Sequence, residues 1–321
     1  MDQNAVRTLG LVIGKGFFPK RVSLFIGLVC NLQCPYCYLP YKTRLNDEML
    51  ISDILGALKD NGVAEIEILG GEPFVYENRL KAALKYIQNT GMQLKAISTN
   101  GIIYNEKCVR LLSSTKELDF FQVSVDAATS ETYKIIRPPG NNFDKVIANI
   151  RKFVAKGLPV SMSFVITKIN AREISSFYQL AEKLGVHRIS FGTFRPLGEG
   201  LKVKEWGLNS AEFKAAKDAI KVCVAKYTNI KTVFNESDEL TKPDICDAGL
   251  SKVAVLPNGD IYPCSMFFGI KSSKLGNVRT YIDGKKVFEI IQEETLNTKK
   301  YWKKCIACKI SNRDTHAFEN Y

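Results

Sequence analysis

The feature that most constrains the fold is a repeated alternation of short β-branched runs and amphipathic helical stretches over residues 21–194. Each unit has one apolar run of strand length, followed by a segment with apolar residues three and four positions apart. Consecutive units of this kind are typical of a parallel sheet covered by its connecting helices, and the chain is therefore predicted to be α/β. The six predicted strands are 22–28, 65–69, 94–98, 120–125, 160–166 and 188–194.

Six strand-helix units are fewer than the eight of a closed TIM barrel. The count is compatible with a partial, open (β/α)6 barrel of the TIM type and also with a doubly wound sheet. In both architectures ligands bind at the carboxyl ends of the strands. That edge of the sheet is where functional residues are expected.

The pattern changes after Gly198. A helix is predicted at about 210–227, and Asn258-Gly259 predicts a hairpin between runs at 252–256 and 260–262. This hairpin and a helix are expected to form a small C-terminal module. The predicted division is an N-terminal segment 1–20, a barrel 21–200, a linker with a bridging helix 201–240, and the small module 241–321.

Composition narrows the class of protein. No apolar run reaches the roughly 20 residues of a membrane span, and the first residues do not form a signal peptide, so a cytoplasmic protein is expected. In that reducing compartment the nine cysteines are better explained by metal or cluster ligation, or by burial, than by disulfides. The net charge is +12, but no block of five consecutive basic residues occurs, and this does not favour nucleic-acid binding.

Three cysteines follow the first predicted strand, at Cys30, Cys34 and Cys37. One tight loop with this spacing can hold three irons of a cubane cluster and leave the fourth iron open to an exogenous ligand. Two alternatives stay open at this point. A zinc site would normally need a fourth ligand nearby, whereas the only histidines are the distant His187 and His316, and the three cysteines could also be unrelated and simply buried.

The C-x3-C-x2-C spacing, with Tyr36 before the last cysteine, resembles the motif of the radical SAM superfamily. The resemblance implies a [4Fe–4S] cluster whose open iron is chelated by the amino and carboxylate groups of S-adenosylmethionine (SAM). Reduction of the cluster then yields a 5′-deoxyadenosyl radical that abstracts hydrogen from the substrate. The chain is accordingly predicted to be a radical SAM enzyme that takes electrons from a donor such as flavodoxin or ferredoxin.

Further segments resemble the same family in the same order along the chain. A run of four residues after the second strand resembles the GGE motif that binds the SAM amino group, although a plain Gly-Gly turn is an alternative. A segment after the third strand resembles the family's TNG segment. The residues assigned to SAM on this basis are Gly70, Gly71, Glu72, Pro73, Thr99 and Asn100.

The last three strands supply the remaining predicted SAM ligands. Ser124 and Asp126 lie two apart, so they are expected to point to the same side and to bind the ribose. Arg137 resembles the arginine that pairs with the SAM carboxylate, and Ile166 lies in the segment that packs on the adenine. The alternatives are a helix cap for Asp126, a solvated surface residue for Arg137 and a core residue for Ile166.

Four cysteines belong to the predicted C-terminal module: Cys246, Cys264, Cys305 and Cys308. Four thiolates can close a structural zinc site or a fully ligated cluster. Their flanking segments resemble the SPASM/twitch extension of radical SAM enzymes, and four cysteines match the short twitch form with one auxiliary [4Fe–4S] cluster. Sulfatase-maturing relatives carry an aspartate base after the equivalent of Cys264, where this chain has Ser265.

The last two cysteines, Cys108 and Cys223, lie on apolar phases of predicted helices and are expected to be buried. Cys223 is the better candidate for returning hydrogen to a substrate radical. The resemblance implies modification of a ribosomally made peptide as the leading function. The alternatives are a dehydrogenase or related enzyme acting on a small sugar-like or aminocyclitol molecule, and a non-enzymatic iron-sulfur or zinc protein.

Overall fold

A computed structural model describes residues 20–40, 42–234 and 252–280 of the chain. The strands are β1 (Arg21–Phe25), β2 (Glu65–Leu69), β3 (Gln93–Thr99), β4 (Phe120–Ser124), β5 (Val160–Ile166), β6 (Arg188–Thr193), β7 (Lys231–Phe234), β8 (Lys252–Val255), β9 (Asp260–Tyr262) and β10 (Gly276–Asn277). The helices are α1 (Ile51–Asp60), α2 (Glu77–Thr90), α3 (Glu106–Ser113), α4 (Ser130–Ile136), α5 (Phe143–Ala155), α6 (Ile174–Lys183) and α7 (Ser210–Lys226). Short 3₁₀ helices are Pro73–Tyr76, Ala171–Glu173, Gly198–Trp206, Ser265–Phe267 and Lys271–Ser273.

All ten strands form one sheet in the order β10-β9-β8-β1-β2-β3-β4-β5-β6-β7. From β1 to β7 each strand pairs in parallel with the next strand along the chain. A doubly wound sheet would reverse its strand order at a switch point, and this sheet does not. The prediction of a partial barrel is therefore confirmed, and each of the six predicted strands is present with small shifts at its ends.

Two features of the sheet were not predicted. β7 adds a seventh parallel strand beyond β6, but its four residues are only partly buried, so they lack the apolar run that marks the other strands. The predicted hairpin is formed by β8 and β9, and β8 pairs in parallel with β1. The hairpin thus extends the barrel sheet, and the predicted domain boundaries at 200 and 240 stay predictions. The helix expected in the C-terminal module lies outside the described residues.

Strand alternation separates two faces of the sheet. On β1, Val22 and Leu24 are fully buried in the main core, which they share with the apolar face of α1, including Ile54 and Leu58. Residues between them, such as Ser23, point into the barrel. Because every crossover helix covers the outer face, the inner face at the carboxyl ends of the strands is left for a ligand. No helix in the part that the structure describes is long and apolar enough to cross a membrane.

The inner face at the amino end of β1, β2 and β8 carries a set of paired charges, here called the barrel floor and defined as Arg21, Glu65, Glu67 and Lys252. Arg21 Nε donates to Glu65 Oε2 at 2.7 Å. Glu67 accepts from the ammonium of Lys252 and from Ser23 Oγ, the latter at 3.1 Å. These contacts join β8 to the first two strands and close this end of the barrel.

Candidate active site

A cavity of about 380 Å³ lies at the carboxyl ends of the strands. Its walls come from the loop after β1, the end of β2, the inward-facing residues of β3 to β6 and the loop after β6. The inward-facing wall is uncharged: its polar residues are Ser98, Gln122, Ser124 and Ser163, and Val165 and Gly192 continue it. This is the edge at which the sequence predicted a site.

The loop that carries the cysteines is held against the end of β2 by backbone hydrogen bonds. Gly71 N donates to Gly27 O at 2.9 Å, and Glu72 N donates to Val29 O at 3.0 Å. A Cβ atom on Gly71 would lie 2.2 Å from the carbonyl oxygen of Leu28, which is a severe overlap. The paired glycines are therefore required by the close approach of two backbone segments, and they also line the cavity.

Cys30, Cys34 and Cys37 all line the cavity and are partly exposed to it. The loop is turned by a bond from Cys37 N to Cys34 O at 3.2 Å, and Leu32 N donates to Cys30 Sγ at 3.4 Å. Burial raises the pKa of Cys30 and raises that of Cys34 to about 11. The thiols of Cys30 and Cys34 are consequently protonated at neutral pH without metal, and iron binding has to displace these two protons.

This set of donors fits a cubane cluster better than a single ion. In the described ranges no three His, Cys, Asp or Glu side chains converge closely enough to hold one metal ion. In a cubane each thiolate binds a different iron, so three sulfurs that face one cavity without meeting at a point are the required arrangement. A closed zinc site would need four ligands around one centre.

Glu72 is placed differently from the prediction. It is fully buried, does not line the cavity, and accepts from Asn100 N at 2.6 Å, Thr99 Oγ1 at 2.8 Å and Phe74 N at 3.0 Å. Burial raises the pKa of Glu72 in spite of these bonds. Its carboxylate positions the segment of Thr99 and Asn100, which do line the cavity, instead of facing a SAM ammonium. Pro73 is buried at the start of a 3₁₀ helix and also lies away from the cavity.

Ser124 and Asp126 do not share one face, which corrects the expectation for the ribose. β4 ends at Ser124, which lines the cavity, whereas Asp126 has φ of 58° and is fully buried. The alternation of a strand no longer applies beyond its last residue, and the turn directs the carboxylate of Asp126 into the protein. There it binds Arg137, the hydroxyl of Tyr36 and the backbone N of Val165.

Arg137 and Tyr36 both line the cavity, and their assignment to SAM stays a prediction. Arg137 is 7% exposed, and its Nε donates to Asp126 Oδ2 at 2.8 Å. Burial is the largest single influence and would lower the pKa of Arg137, but Asp126 and the weaker neighbouring groups together outweigh it and keep the pKa well above the usual value. Burial raises the pKa of Tyr36, so its phenol is neutral and can donate to Asp126.

On β5 the cavity is lined by Ser163 and Val165, while Ile166 is buried on the outer face. Ile166, which was predicted to pack on the adenine, therefore does not line the cavity, whereas its neighbour Val165 does. Strand alternation gives the signal that was available, because residues at two-residue spacing from Ser163 share its face. Gln122 on β4 was also missed, although it lies two residues before Ser124 and strand alternation therefore places it on the same inward face.

The loop after β6 was also missed, and it is fixed to the cysteine loop. Glu199 N donates to Cys37 O at 2.9 Å. Gly198 has φ of 55°, and a Cβ there would lie 2.8 Å from the same oxygen. This contact brings Phe194 and Arg195 to the cavity. Lys42, Arg137 and Arg195 are the cations that line the cavity, and none of the lining residues is acidic.

Cys264 is the one predicted auxiliary-cluster ligand within the described residues. It is partly buried and packs, like Cys37, against a hydrophobic cluster that includes Phe25 and Phe267. Tyr38 lies near both Cys37 and Cys264. Burial and the proximity of these two cysteines raise the pKa of Tyr38, whereas a hydrogen bond with Ser265 lowers it by a smaller amount. Cys264 therefore lies beside the cysteine loop. Cys246, Cys305 and Cys308 lie outside the described residues.

Cys108 and Cys223 are both buried, as predicted, and neither lines the cavity. Cys223 lies on α7 and forms a side-chain hydrogen bond with Ser175 on α6, which places it between two helices outside the barrel. The structure therefore does not support Cys223 as a hydrogen donor to a substrate radical.

The comparisons with known proteins agree with this fold. The sequence matches the Radical SAM superfamily over residues 24–181. It is 30% identical over 213 residues to a probable GTP 3′,8-cyclase from Methanococcus vannielii, a match that covers 65% of this chain and 70% of the relative. The chain belongs to the radical SAM superfamily.

Two further likenesses concern proteins of peptide biosynthesis. The antilisterial bacteriocin subtilosin biosynthesis protein AlbA from Bacillus subtilis is 24% identical over 270 residues, which are 83% of this chain and 59% of AlbA. The structure of Streptococcus suis SuiB bound to precursor peptide SuiA matches with a TM-score of 0.71 at 21% identity, covering 87% of this chain and 66% of SuiB. The latter likeness shows the shared fold, and the chain spans less than two thirds of either protein.

Proposed function

We propose that this radical SAM enzyme modifies a ribosomally made peptide by abstracting hydrogen from it. The observation that carries the proposal is the match to AlbA, which covers 83% of the chain and so continues beyond the 24–181 segment shared with the whole superfamily. AlbA is named for bacteriocin biosynthesis, and SuiB was solved with a precursor peptide. Both support a peptide as the substrate.

Superfamily membership implies SAM and a [4Fe–4S] cluster, which together supply a radical strong enough to remove hydrogen from an unactivated C–H bond. Cys30, Cys34 and Cys37 would hold the three ligated irons from one side of the cavity. Arg137 presents a fixed positive charge to the carboxylate of SAM. Ser124 offers a hydroxyl that lines the same cavity and is assigned to the ribose.

The remaining polar wall is assigned to the substrate. Gln122 and Ser98 are linked only by a long contact of 3.4 Å, and Ser163 and Ser124 by one of 3.5 Å. Bonds of this length are weak, so Ser98, Gln122 and Ser163 are available to bind the amide groups of a peptide. Gly192 also lines the wall, and a Cβ atom on it would meet nothing within 4 Å, so the glycine adds room there.

Two further components belong to the proposal. An external one-electron donor, such as flavodoxin or ferredoxin, reduces the cluster. An auxiliary [4Fe–4S] cluster is bound by Cys264 together with Cys246, Cys305 and Cys308. The position of Cys264 beside the cysteine loop supports this assignment, because Met266, two residues further on, lines the cavity. Electrons from a substrate radical would then have a nearby acceptor.

A second candidate is a small anionic molecule. Lys42, Arg137 and Arg195 give the cavity a positive lining without acidic residues. The 30% identical relative is named for a reaction of GTP, whose triphosphate carries several negative charges. A nucleotide, or a small sugar-like or aminocyclitol compound, is therefore the alternative to be tested against a peptide.

The test uses the anaerobically reconstituted holoenzyme with SAM and dithionite. Candidate precursor peptides encoded near its gene are synthesised with deuterated side chains, and GTP and a panel of aminocyclitols are offered in parallel. The proposal expects deuterium in 5′-deoxyadenosine and a mass change in one peptide, both absent with the Cys34→Ala variant. Consumption of GTP or of a cyclitol, with every peptide unchanged, would show that the alternative is correct.

A further inference from the structure

The carboxylate of Asp126 is the meeting point of four segments around the cavity. Its Oδ2 accepts from the hydroxyl of Tyr36 and from Nε and one terminal nitrogen of Arg137, the Nε bond being 2.8 Å. Its Oδ1 accepts from Val165 N at 2.6 Å. Asp126 is fully buried, so both carboxylate oxygens are occupied by protein donors.

The backbone of Asp126 is held as firmly as its side chain. Its φ of 58° lies in the left-handed region, which costs a non-glycine residue about 1 kcal/mol. Asn170 Nδ2 donates to Asp126 O at 2.8 Å. A strained conformation that several hydrogen bonds maintain points to a required side-chain direction.

Arg137 is directed by this contact. The guanidinium group is planar, so fixing its Nε edge on a carboxylate also fixes the direction of the other terminal nitrogen. Arg137 lines the cavity although only 7% of it is exposed, so that only a small part of the residue faces the ligand space. Without Asp126, the arginine would lose both its orientation and the charge that balances it inside the protein.

Tyr36 extends the contact to the cysteine loop, because it lies between Cys34 and Cys37. A second contact joins the same two segments. Gln33 N donates to the carbonyl oxygen of Pro138 at 2.7 Å, and Pro138 follows Arg137 directly. The ring of Tyr36 also lies 6.0 Å from the guanidinium carbon of Arg137. The arginine and the cysteine loop are therefore linked twice.

We propose that Asp126 is a positioning residue that directs Arg137 at the SAM carboxylate and joins it, through Tyr36, to the cysteine loop, without itself contacting SAM. The inference rests on SAM binding by the holoenzyme and not on the identity of the substrate. It predicts that Asp126 affects SAM binding only through Arg137.

A double-mutant cycle on SAM binding tests this dependence. The dissociation constant of SAM is measured by equilibrium dialysis for reconstituted holoenzyme carrying Asp126→Asn, Arg137→Gln, or both. Asp126→Asn is expected to weaken binding about tenfold in the wild-type background, and less than about twofold in the Arg137→Gln background. Ser124→Ala is the matched control, because a direct ligand should change the dissociation constant by the same factor in both backgrounds.

An equal effect of Asp126→Asn in both backgrounds would overturn the proposal and identify Asp126 as a direct SAM ligand.

Tyr36→Phe gives a milder test that keeps the ring, in case Asp126→Asn does not fold. It should weaken SAM binding about threefold only when Arg137 is present, and should alter the electron paramagnetic resonance signal of the reduced cluster. An unchanged signal together with an unchanged dissociation constant would contradict the link. Because all readouts concern SAM and the cluster, a failure of the peptide assignment leaves this test intact.

Discussion

The two ends of the barrel interior use charged residues in opposite ways. At the barrel floor, Arg21, Glu65, Glu67 and Lys252 neutralise each other across β1, β2 and β8. At the carboxyl end, Arg137 is paired with a single carboxylate but still lines a cavity. The floor charges lie on strands, whereas Arg137 follows α4, and the two sets differ in whether a charged group meets only protein or also faces space for a ligand. Substitutions at the floor should therefore change stability, and those at the cavity should change chemistry.

The largest effect is expected for Cys34→Ala, which removes a cluster ligand from the cavity. Loss of one thiolate should lower 5′-deoxyadenosine formation on the order of a thousandfold and reduce the iron content, since the cluster needs three protein ligands. Cys108→Ala is the matched control, because Cys108 is buried on α3 away from the cavity. Equal loss of activity in both variants, measured by chromatography of the nucleoside product, would mean that the cavity does not hold the cluster.

Arg137→Met tests the charged pair at the cavity end. The substitution leaves Asp126 buried without a counter-charge, and breaking a buried pair in this way costs about 3–5 kcal/mol of unfolding free energy. Urea titration of the wild-type and variant apoproteins measures this loss of unfolding free energy. A loss below about 1 kcal/mol would show that the pair behaves like an exposed salt bridge.

Gly71→Ala tests the contact between the cysteine loop and the end of β2. The added Cβ would lie 2.2 Å from Leu28 O, and the forced backbone shift should cost about 1–3 kcal/mol. Gly192→Ala is the control on the same cavity, where the added methyl meets nothing within 4 Å. Thermal unfolding of both variants should show a large decrease only for Gly71→Ala. Similar unfolding temperatures would contradict the close approach of the two segments.

Glu67→Gln tests the barrel floor. It removes the charge that faces Lys252 and should cost about 1–2 kcal/mol of unfolding free energy, because Glu67 is only 9% exposed. The dissociation constant of SAM should stay unchanged, since the floor is separate from the cavity. A weaker binding of SAM by Glu67→Gln than by the wild-type protein would remove the distinction between the two ends.

The effect of pH on iron loading is expected to be smaller than the effects of these substitutions, and the apparent affinity for iron should change gradually with pH. The pKa of Cys34 is raised from 9.0 to about 11, so the apoprotein holds this proton more tightly than the unfolded chain does. That contribution to apoprotein stability is present at neutral pH and is lost as the pH rises through about 9–11. Iron binding requires the thiolate, so its apparent affinity should rise up to about tenfold per pH unit for each proton released. A competition assay with a chelator between pH 7 and 8.5 measures the apparent affinity for iron. An affinity that does not change with pH would contradict a protonated Cys34 thiol in the apoprotein.

The sequence predicted the repeated strands and the cysteine loop well, because both depend on local patterns. Apolar character alone did not distinguish Val165 from Ile166, and the choice of Val165 needed the strand alternation from Ser163, which the prediction did not use. Asp126 and Glu72 were assigned to SAM by their position, but both carboxylates are directed at protein donors. These contacts join residues that are far apart in the chain, and no local pattern reports them. β7 was missed because its four residues are only partly buried.

The central claim is that Cys30, Cys34 and Cys37 hold a cluster that cleaves SAM in this cavity. The most direct measurement is the formation of 5′-deoxyadenosine by anaerobically reconstituted protein after reduction with dithionite in the presence of SAM. The structure predicts that the wild-type protein produces the nucleoside and that Cys30→Ala, Cys34→Ala and Cys37→Ala do not. A wild-type protein with a full complement of iron that yields no 5′-deoxyadenosine under any reducing condition would contradict the assignment.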